Sequence, residues 1–172
     1  MIATRTAPRS VRLVRAACAA VALAALATAC GGHDEGDTAP QTSSSPVLGR
    51  LHVVAPDVDL TVTDAVAHVD ASGTGTLTMT IHNGSGVPEH LDMVATPDSG
   101  RGQLVGGRGS GSGSMTSAGI LLAPGATVTF GSSSGPSVRL TRAHLGADHT
   151  LPLKLEFGVA RLVELSARVS GG

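Results

Sequence analysis

The chain has 172 residues, a length that predicts one domain or at most two. Its apolar residues make up 41% of the chain but include only two Phe and no Tyr or Trp, so any core is aliphatic and almost no aromatic surface is left for stacking bases. The 12 basic residues do not exceed the 13 acidic ones. Composition and charge together therefore predict no nucleic-acid partner.

Residues 1–29 have the features of a secretory signal peptide. Four arginines and no acidic residue lie within residues 1–15, and an Ala/Val/Leu run follows over residues 16–29. A basic region, an apolar region and small residues in that order are typical of a segment that directs export. The apolar run is too short to cross a bilayer core, which needs roughly 20 residues.

The end of this segment predicts a lipid anchor at Cys30. The sequence from Leu26 to Cys30 resembles a bacterial lipobox, in which the cysteine becomes the lipidated first residue of the mature protein, although Leu26 lies one position further from Cys30 than the usual pattern has it. Ordinary cleavage after Ala27-Thr28-Ala29 is the alternative, and it would leave a free thiol in an oxidising compartment. Lipidation predicts an extracytoplasmic protein attached to the outer face of the cell membrane.

A polar segment then separates the anchor from the remaining chain. Residues 30–47 consist of Cys30 and a stretch rich in Gly, Pro, Ser and acidic residues, which predicts a flexible linker. Without the signal peptide the chain keeps eight basic and 13 acidic residues, a net charge of −5. A mildly acidic chain of this kind indicates solubility rather than a charged partner.

From residue 48 to residue 172 the apolar residues alternate with polar ones. In the segment Thr76–His82, for example, Leu77, Met79 and Ile81 point one way and the threonines point the other. About seven short strands separated by turn residues are predicted: 51–54, 60–69, 76–82, 127–130, 137–141, 151–157 and 163–169. The pattern predicts an all-β domain, an Ig-like antiparallel β-sandwich.

Two stretches between these strands carry their own patterns. Residues 99–114, SGRGQLVGGRGSGSGS, are of low complexity and predict a mobile loop that interrupts the sandwich. Asn83-Gly84-Ser85 fits a glycosylation pattern, but Asn-Gly between two strands favours a turn.

The order of segments over residues 58–170 resembles the PCu(A)C family of periplasmic or surface copper chaperones. The resemblance is carried by four segments: Leu77–Asn83, Pro88–Val94, Ile120–Val128 and Leu151–Phe157. It implies a cupredoxin-like sandwich, copper as the bound metal and a copper-accepting envelope protein as partner. Actinobacterial lipoproteins that keep this scaffold with fewer metal ligands would match equally well.

The family's copper motif is incomplete in this chain. It consists of a His, a later Met and an H-x-M pair beyond it, whose imidazole and thioether groups suit Cu(I). The resemblance puts Met115 at the middle Met and puts Ser137 and Arg139 at the H-x-M pair, where neither is expected to ligate. The first His would fall near Gln103 or Leu104.

Two functional hypotheses follow from this incomplete motif. The first is a membrane-anchored copper-binding or copper-delivering lipoprotein that uses a reduced site with Met115 as its metal ligand. The alternative is a metal-free envelope module on the same scaffold that contacts another protein.

The chain contains no nucleophile elbow, P-loop, dinucleotide fingerprint or H-E-x-x-H motif, so we expect no enzyme activity and no catalytic residues. Five other His and Met residues of the domain carry groups that bind copper, but we expect them to be ordinary structural or surface residues. They are His82, His90, Met93, His144 and His149.

Overall fold

A computed structural model describes residues 47–171 of the chain. The predicted signal peptide over 1–29, the lipid attachment at Cys30 and nearly all of the predicted linker over 30–47 lie outside the described residues, so these features stay predictions. Every regular element between residues 47 and 171 is a strand, which confirms the all-β prediction. No helix able to cross a membrane occurs in this part of the chain.

The described domain has eleven strands. In chain order they are β1 (Leu51–Ala55), β2 (Val58–Val69), β3 (Gly75–Asn83), β4 (Glu89–Thr96), β5 (Gly100–Val105), β6 (Met115–Thr116), β7 (Gly119–Leu122), β8 (Thr127–Phe130), β9 (Ser137–Thr141), β10 (Thr150–Phe157) and β11 (Arg161–Gly171). The seven predicted strands are all present, and β4 to β7 are additional.

Seven of the strands close a ring. The hydrogen-bonded order is β2-β11-β10-β4-β5-β9-β3, and β3 pairs with β2 again. The two sheets of the predicted sandwich are therefore continuous with each other. All pairs are antiparallel except β11 with β2, which is parallel over Arg168–Gly171 and Val66–Val69. The other strands extend this ring: β1 pairs with β2, β8 with β3, and β7 with β4 and β6.

The interior is filled by the inward residues of each strand. Leu77, Met79 and Ile81 on β3 are at most 1% exposed, and Leu155 on β10 is fully buried, as the alternation predicts. The two phenylalanines, Phe130 and Phe157, are also buried. Because each large apolar side chain that leaves water contributes about 1.5–3 kcal/mol, this aliphatic interior can stabilise the fold without aromatic clusters.

The prediction of a continuous loop over residues 99–114 is corrected by β5. Its six residues lie between β4 and β9 within the ring. Two of its inward positions, Gly100 and Gly102, have no side chain, and a Cβ at Gly102 would lie 2.8 Å from side-chain atoms of both Val94 and Val138. The neighbouring valines fill the space that β5 leaves empty, so this strand lacks the alternation by which the others are recognised.

The predicted turn at Asn83 is present. The Asn83 side chain is 1% exposed, and its amide donates to the carbonyl oxygens of Val87 (2.8 Å) and Leu122 (3.0 Å). Its Oδ1 accepts from the backbone N–H (3.1 Å) and hydroxyl (2.7 Å) of Ser85. A side chain with all its hydrogen-bonding groups occupied in this way fixes the turn from inside.

Candidate functional site

Strands β5 and β9 bring together the positions that the resemblance assigns to metal ligands. Gln103 lies opposite Arg139, and Val105 lies opposite Ser137. Because side chains of paired residues point to the same face, these four form one patch on the outside of the ring. Gln103, Val105 and Arg139 are exposed, while Ser137 is half-buried.

Met115 lies next to this patch. It is the first residue of β6, and a side chain at Gly106, the residue that follows β5, would clash with the Met115 backbone. The Met115 side chain is 52% exposed, as are several other large apolar side chains of this domain to a similar degree. Its neighbour across the strand pair is Ile120 on β7.

The groups on these positions do not form a four-ligand Cu(I) site. Met115 is the one soft donor among them, Gln103 and Ser137 present hard oxygen or amide groups, and the guanidinium of Arg139 is a cation that would repel a metal ion. Across residues 47–171, no three His, Cys, Asp or Glu side chains are grouped so that they could hold a metal ion.

The other candidate ligands are scattered over the domain. His82 is exposed on β3, where its Nδ1 is 3.0 Å from the Thr127 hydroxyl, and His90 is half-buried on β4 opposite Leu121. Met93 is 44% exposed at the point where β4 and β10 lose their regular register. His144 and His149 are exposed near the turn before β10.

A buried carboxylate on β4 holds the turn between β10 and β11. Glu89 is 4% exposed, and its two oxygens accept from the backbone N–H groups of Val159 (2.9 and 3.2 Å) and Ala160 (2.7 Å). Oε1 also accepts from the N–H of His90 (2.8 Å). Glu89 is thus fully used by the fold and is not available to a ligand.

Asp92 lies beside this group on the outer side of β4. Partial burial raises the pKa of the Asp92 carboxyl; nearby His90 opposes the shift, and the carboxylates of Glu156 and Glu89 reinforce it. The outer face of β4 and β10 is therefore acidic at this point.

The outer face of β5 and β9 has the opposite character. Arg101 and Arg139 both lie on it, and Arg108 and Arg142 lie in the segments that follow β5 and β9; we call these four residues the arginine face. The sequence carries a signal for this face that motif analysis missed. Between Asp98 and Asp148 the chain contains four arginines and no acidic residue.

Three solved structures are similar to this domain. The apo PCuAC domain from PmoF1 is 22% identical with a TM-score of 0.52, and the match covers 66% of this chain and 94% of that one. The copper-bound PCuAC domain from PmoF2 is 20% identical with a TM-score of 0.51, covering 66% and 93% of the two chains. The apo PmoF2 PCuAC domain is 18% identical with a TM-score of 0.50, covering 65% and 90%. No protein-family model matches the chain, and no curated protein matches it.

The described domain is therefore a β-barrel with the fold of PCuAC domains. This confirms, at the level of fold, the resemblance that the order of sequence segments predicts. The match covers at least 90% of each PCuAC domain.

Proposed function

We propose that the chain is an extracytoplasmic module of copper-chaperone fold, tethered to the membrane through Cys30, that acts by contacting another protein and does not hold copper in a four-ligand site. The single observation that carries this proposal is the register of β5 and β9. It sets Gln103 opposite Arg139 and Ser137 opposite Val105, so three positions that the resemblance assigns to ligands lie on one face and carry neither His nor Met.

The residues now on this patch suit a protein contact better than a metal. Arginine and methionine are enriched at protein interfaces, where a guanidinium and a polarisable thioether bind both polar and apolar groups. Val105 and Met115 add exposed apolar surface beside Arg139. The scaffold thus presents a mixed polar and apolar surface where the resemblance places copper.

A Cu(I) competition titration against a chromogenic chelator tests the proposal. The mature chain, residues 30–172 with Cys30→Ser, removes the thiol that would otherwise compete. We expect no one-to-one complex that withstands a chelator of sub-nanomolar affinity, because one thioether cannot replace the four-ligand set. A stoichiometric complex of that affinity would contradict the proposal.

A variant that restores the motif provides the positive control. Gln103→His, Ser137→His and Arg139→Met, combined with the existing Met115, place the family's ligand types at the matching positions. We expect this triple variant to gain one equivalent of Cu(I), since β5 and β9 already hold the positions opposite each other. Failure of the triple variant to bind, with its fold intact by circular dichroism, would mean that the correspondence of positions is wrong.

A second candidate function, Cu(I) handling through a reduced site, is favoured by the 52% exposure of the Met115 thioether and by the likeness to a copper-bound PCuAC domain. It predicts weak, exchangeable binding that Met115→Ala removes. Met93→Ala is the matched control, since Met93 is a similarly exposed thioether on another strand. Unchanged weak binding in Met115→Ala would remove Met115 from any copper site.

A further inference from the structure

The arginine face is unneutralised within the domain. The ion pairs between residues 47 and 171 are Arg50–Asp64, His52–Asp59 and Lys154–Glu164, and none involves Arg101, Arg108, Arg139 or Arg142. In residues 30–172 the net charge is −5, yet four of the eight basic residues lie on β5 and β9 or in the segments that follow these two strands. Concentrated charge of one sign on an oppositely charged protein is a recognition feature rather than a solubility feature.

The four arginines follow the β5–β9 ribbon from one end to the other. Arg101 lies opposite Thr141 and Arg139 lies opposite Gln103, so the two arginines are diagonal neighbours on the same face. Arg142 comes directly after β9, where its backbone packs against Gly100. The paired part of the ribbon is five residues long, which corresponds to about 17 Å at the usual rise per residue of a strand.

Arg108 extends the charge beyond the other end of the ribbon. Its backbone N–H donates to the carbonyl oxygen of Ser134 (3.1 Å), which places it beside the segment between β8 and β9. The arginines are therefore arranged as a stripe along the ribbon: Arg101 and Arg142 lie at one end, Arg139 lies near the middle, and Arg108 lies beyond the other end.

On one side, this stripe is bordered by two strands that carry exposed acidic residues and one cation, Lys154, which lies in register with Arg101 across β4 and is paired with Glu164. β4 follows β5 in the ring and β10 follows β4, and the exposed carboxylates of Asp92 and Glu156 lie on these two strands. A flat anionic membrane laid on this side of the domain would meet both signs of charge. A linear acidic segment would contact the stripe alone.

We propose that the arginine face binds an extended acidic segment of a partner protein, through guanidinium–carboxylate pairs along β5 and β9. Arginine presents paired N–H donors that match a carboxylate in a bidentate arrangement. Gln103 and Thr141 add polar groups between the arginines, and Val105 and Met115 give apolar contact at one end. The inference rests on the proposed function in placing the partner at this patch, and it adds the partner's chemistry.

Binding of a fluorescein-labelled oligo-glutamate peptide to the mature Cys30→Ser chain, followed by fluorescence anisotropy, tests the inference. We expect saturable binding that weakens as salt is added, because exposed charges are screened over about 10 Å at 0.1 M salt. Arg101→Gln with Arg139→Gln is expected to weaken it about tenfold, from the loss of two exposed charge pairs. An oligo-lysine peptide is expected not to bind.

The matched control is Arg161→Gln with Arg168→Gln. It removes the same charge from exposed residues of β11, away from the arginine face, and neither residue has an ion-pair partner in the described domain. Equal weakening by the two double variants would overturn the inference, because the peptide would then be sensing net charge. Absence of peptide binding by the unaltered chain, with an intact fold, would overturn it as well.

Two further outcomes would assign the face to a different occupant and so overturn the inference. One is arginine-dependent binding to phosphatidylcholine vesicles only when they contain phosphatidylglycerol, with no peptide binding. The other is peptide binding that occurs only after the chain's own acidic segment has been neutralised by Asp34→Asn, Glu35→Gln and Asp37→Asn. That result would mean that this segment occupies the arginine face in the unaltered chain. None of these outcomes depends on copper, so they are separate from a failure of the proposed function in the Cu(I) titration.

Discussion

A methyl group added at Gly102 tests the position of β5, the strand that the sequence pattern does not predict. In the described domain the Cβ of Gly102→Ala would lie 2.8 Å from Val138 Cγ1 and 2.8 Å from Val94 Cβ. These distances are well inside the 3.5–4.0 Å at which carbon atoms pack. Either β5 moves away from its neighbours or the two valines leave their preferred rotamers.

Overpacking of this kind costs about 1–3 kcal/mol in a well-filled core. The expected result is a loss of that size in the free energy of unfolding, measured by urea denaturation of residues 30–172 with Cys30→Ser, while the slope of that free energy against urea concentration stays unchanged. Gly86→Ala is the matched control, since a Cβ there would meet no atom within 4 Å. We expect Gly86→Ala to be neutral or to stabilise by up to about 1 kcal/mol through the unfolded state.

The double variant Gly102→Ala with Val138→Ala makes the test specific to the contact. Truncating Val138 removes one of the three side-chain atoms that the new methyl group meets, so the two changes should cost less together than the sum of their separate costs. If Gly102→Ala is as stable as Gly86→Ala, or if the two changes are strictly additive, Gly102 does not lie against Val138 and the position of β5 in the ring is wrong.

Three further changes test the buried carboxylate, the strand register and the acidic cluster. Glu89→Gln turns one acceptor into a donor that faces the N–H groups of the β10–β11 turn, so the free energy of unfolding in urea should fall by about 2–4 kcal/mol. The control Glu156→Gln changes an exposed residue and should cost no more than about 0.5 kcal/mol. Similar losses in the two variants would contradict the structural role of Glu89. Leu155→Asp places an unpaired charge in the core and should abolish cooperative unfolding; a cooperative melt at an unchanged Tm would contradict the register of β10. Because burial chiefly raises the pKa of Asp92, the folded state binds the proton more tightly than the unfolded state, and stability falls as pH rises through the titration of this group. Asp92→Asn should therefore be more stable than the unaltered chain at neutral pH, with a difference in unfolding free energy that closes below the ordinary Asp range; a difference that does not change with pH would contradict this.

Much of the fold can be predicted because most strands have one inward apolar row. The alternation in β3, β9, β10 and β11 identifies both the strands and their buried faces, and those faces are buried in the structure. β5 is missed for a physical reason, since Gly100 and Gly102 occupy inward positions and the strand is held by its neighbours' valines. The closure of the ring also lies beyond local pattern, because it depends on pairing between distant segments such as β2 and β11.

The candidate site rests on positions that the resemblance assigns, and the structure adds how these positions are arranged. The resemblance assigns Met115, Ser137 and Arg139 and puts the first ligand near Gln103 or Leu104, and the pairing of β5 with β9 sets Gln103 opposite Arg139 on the outer face. The arginine face is a property of that pairing: Arg101 and Arg139 are 38 positions apart in the sequence and become neighbours only when the two strands lie side by side. A run without acidic residues between Asp98 and Asp148 is its one sequence signal, and that signal gains meaning only from the topology.

The separation between inward and outward residues explains how this scaffold can keep its fold while its outer chemistry changes. Val138 and Leu140 on β9 are fully buried, whereas Arg139 between them is exposed. A substitution at the outward position removes no core contact, and surface changes of this kind usually alter stability by about 0.5 kcal/mol or less. Thioether or imidazole ligands at such positions can therefore be exchanged for a hydroxyl or a guanidinium with little effect on the barrel. For the same reason, the triple variant Gln103→His, Ser137→His and Arg139→Met is expected to fold, because it changes no residue of the core.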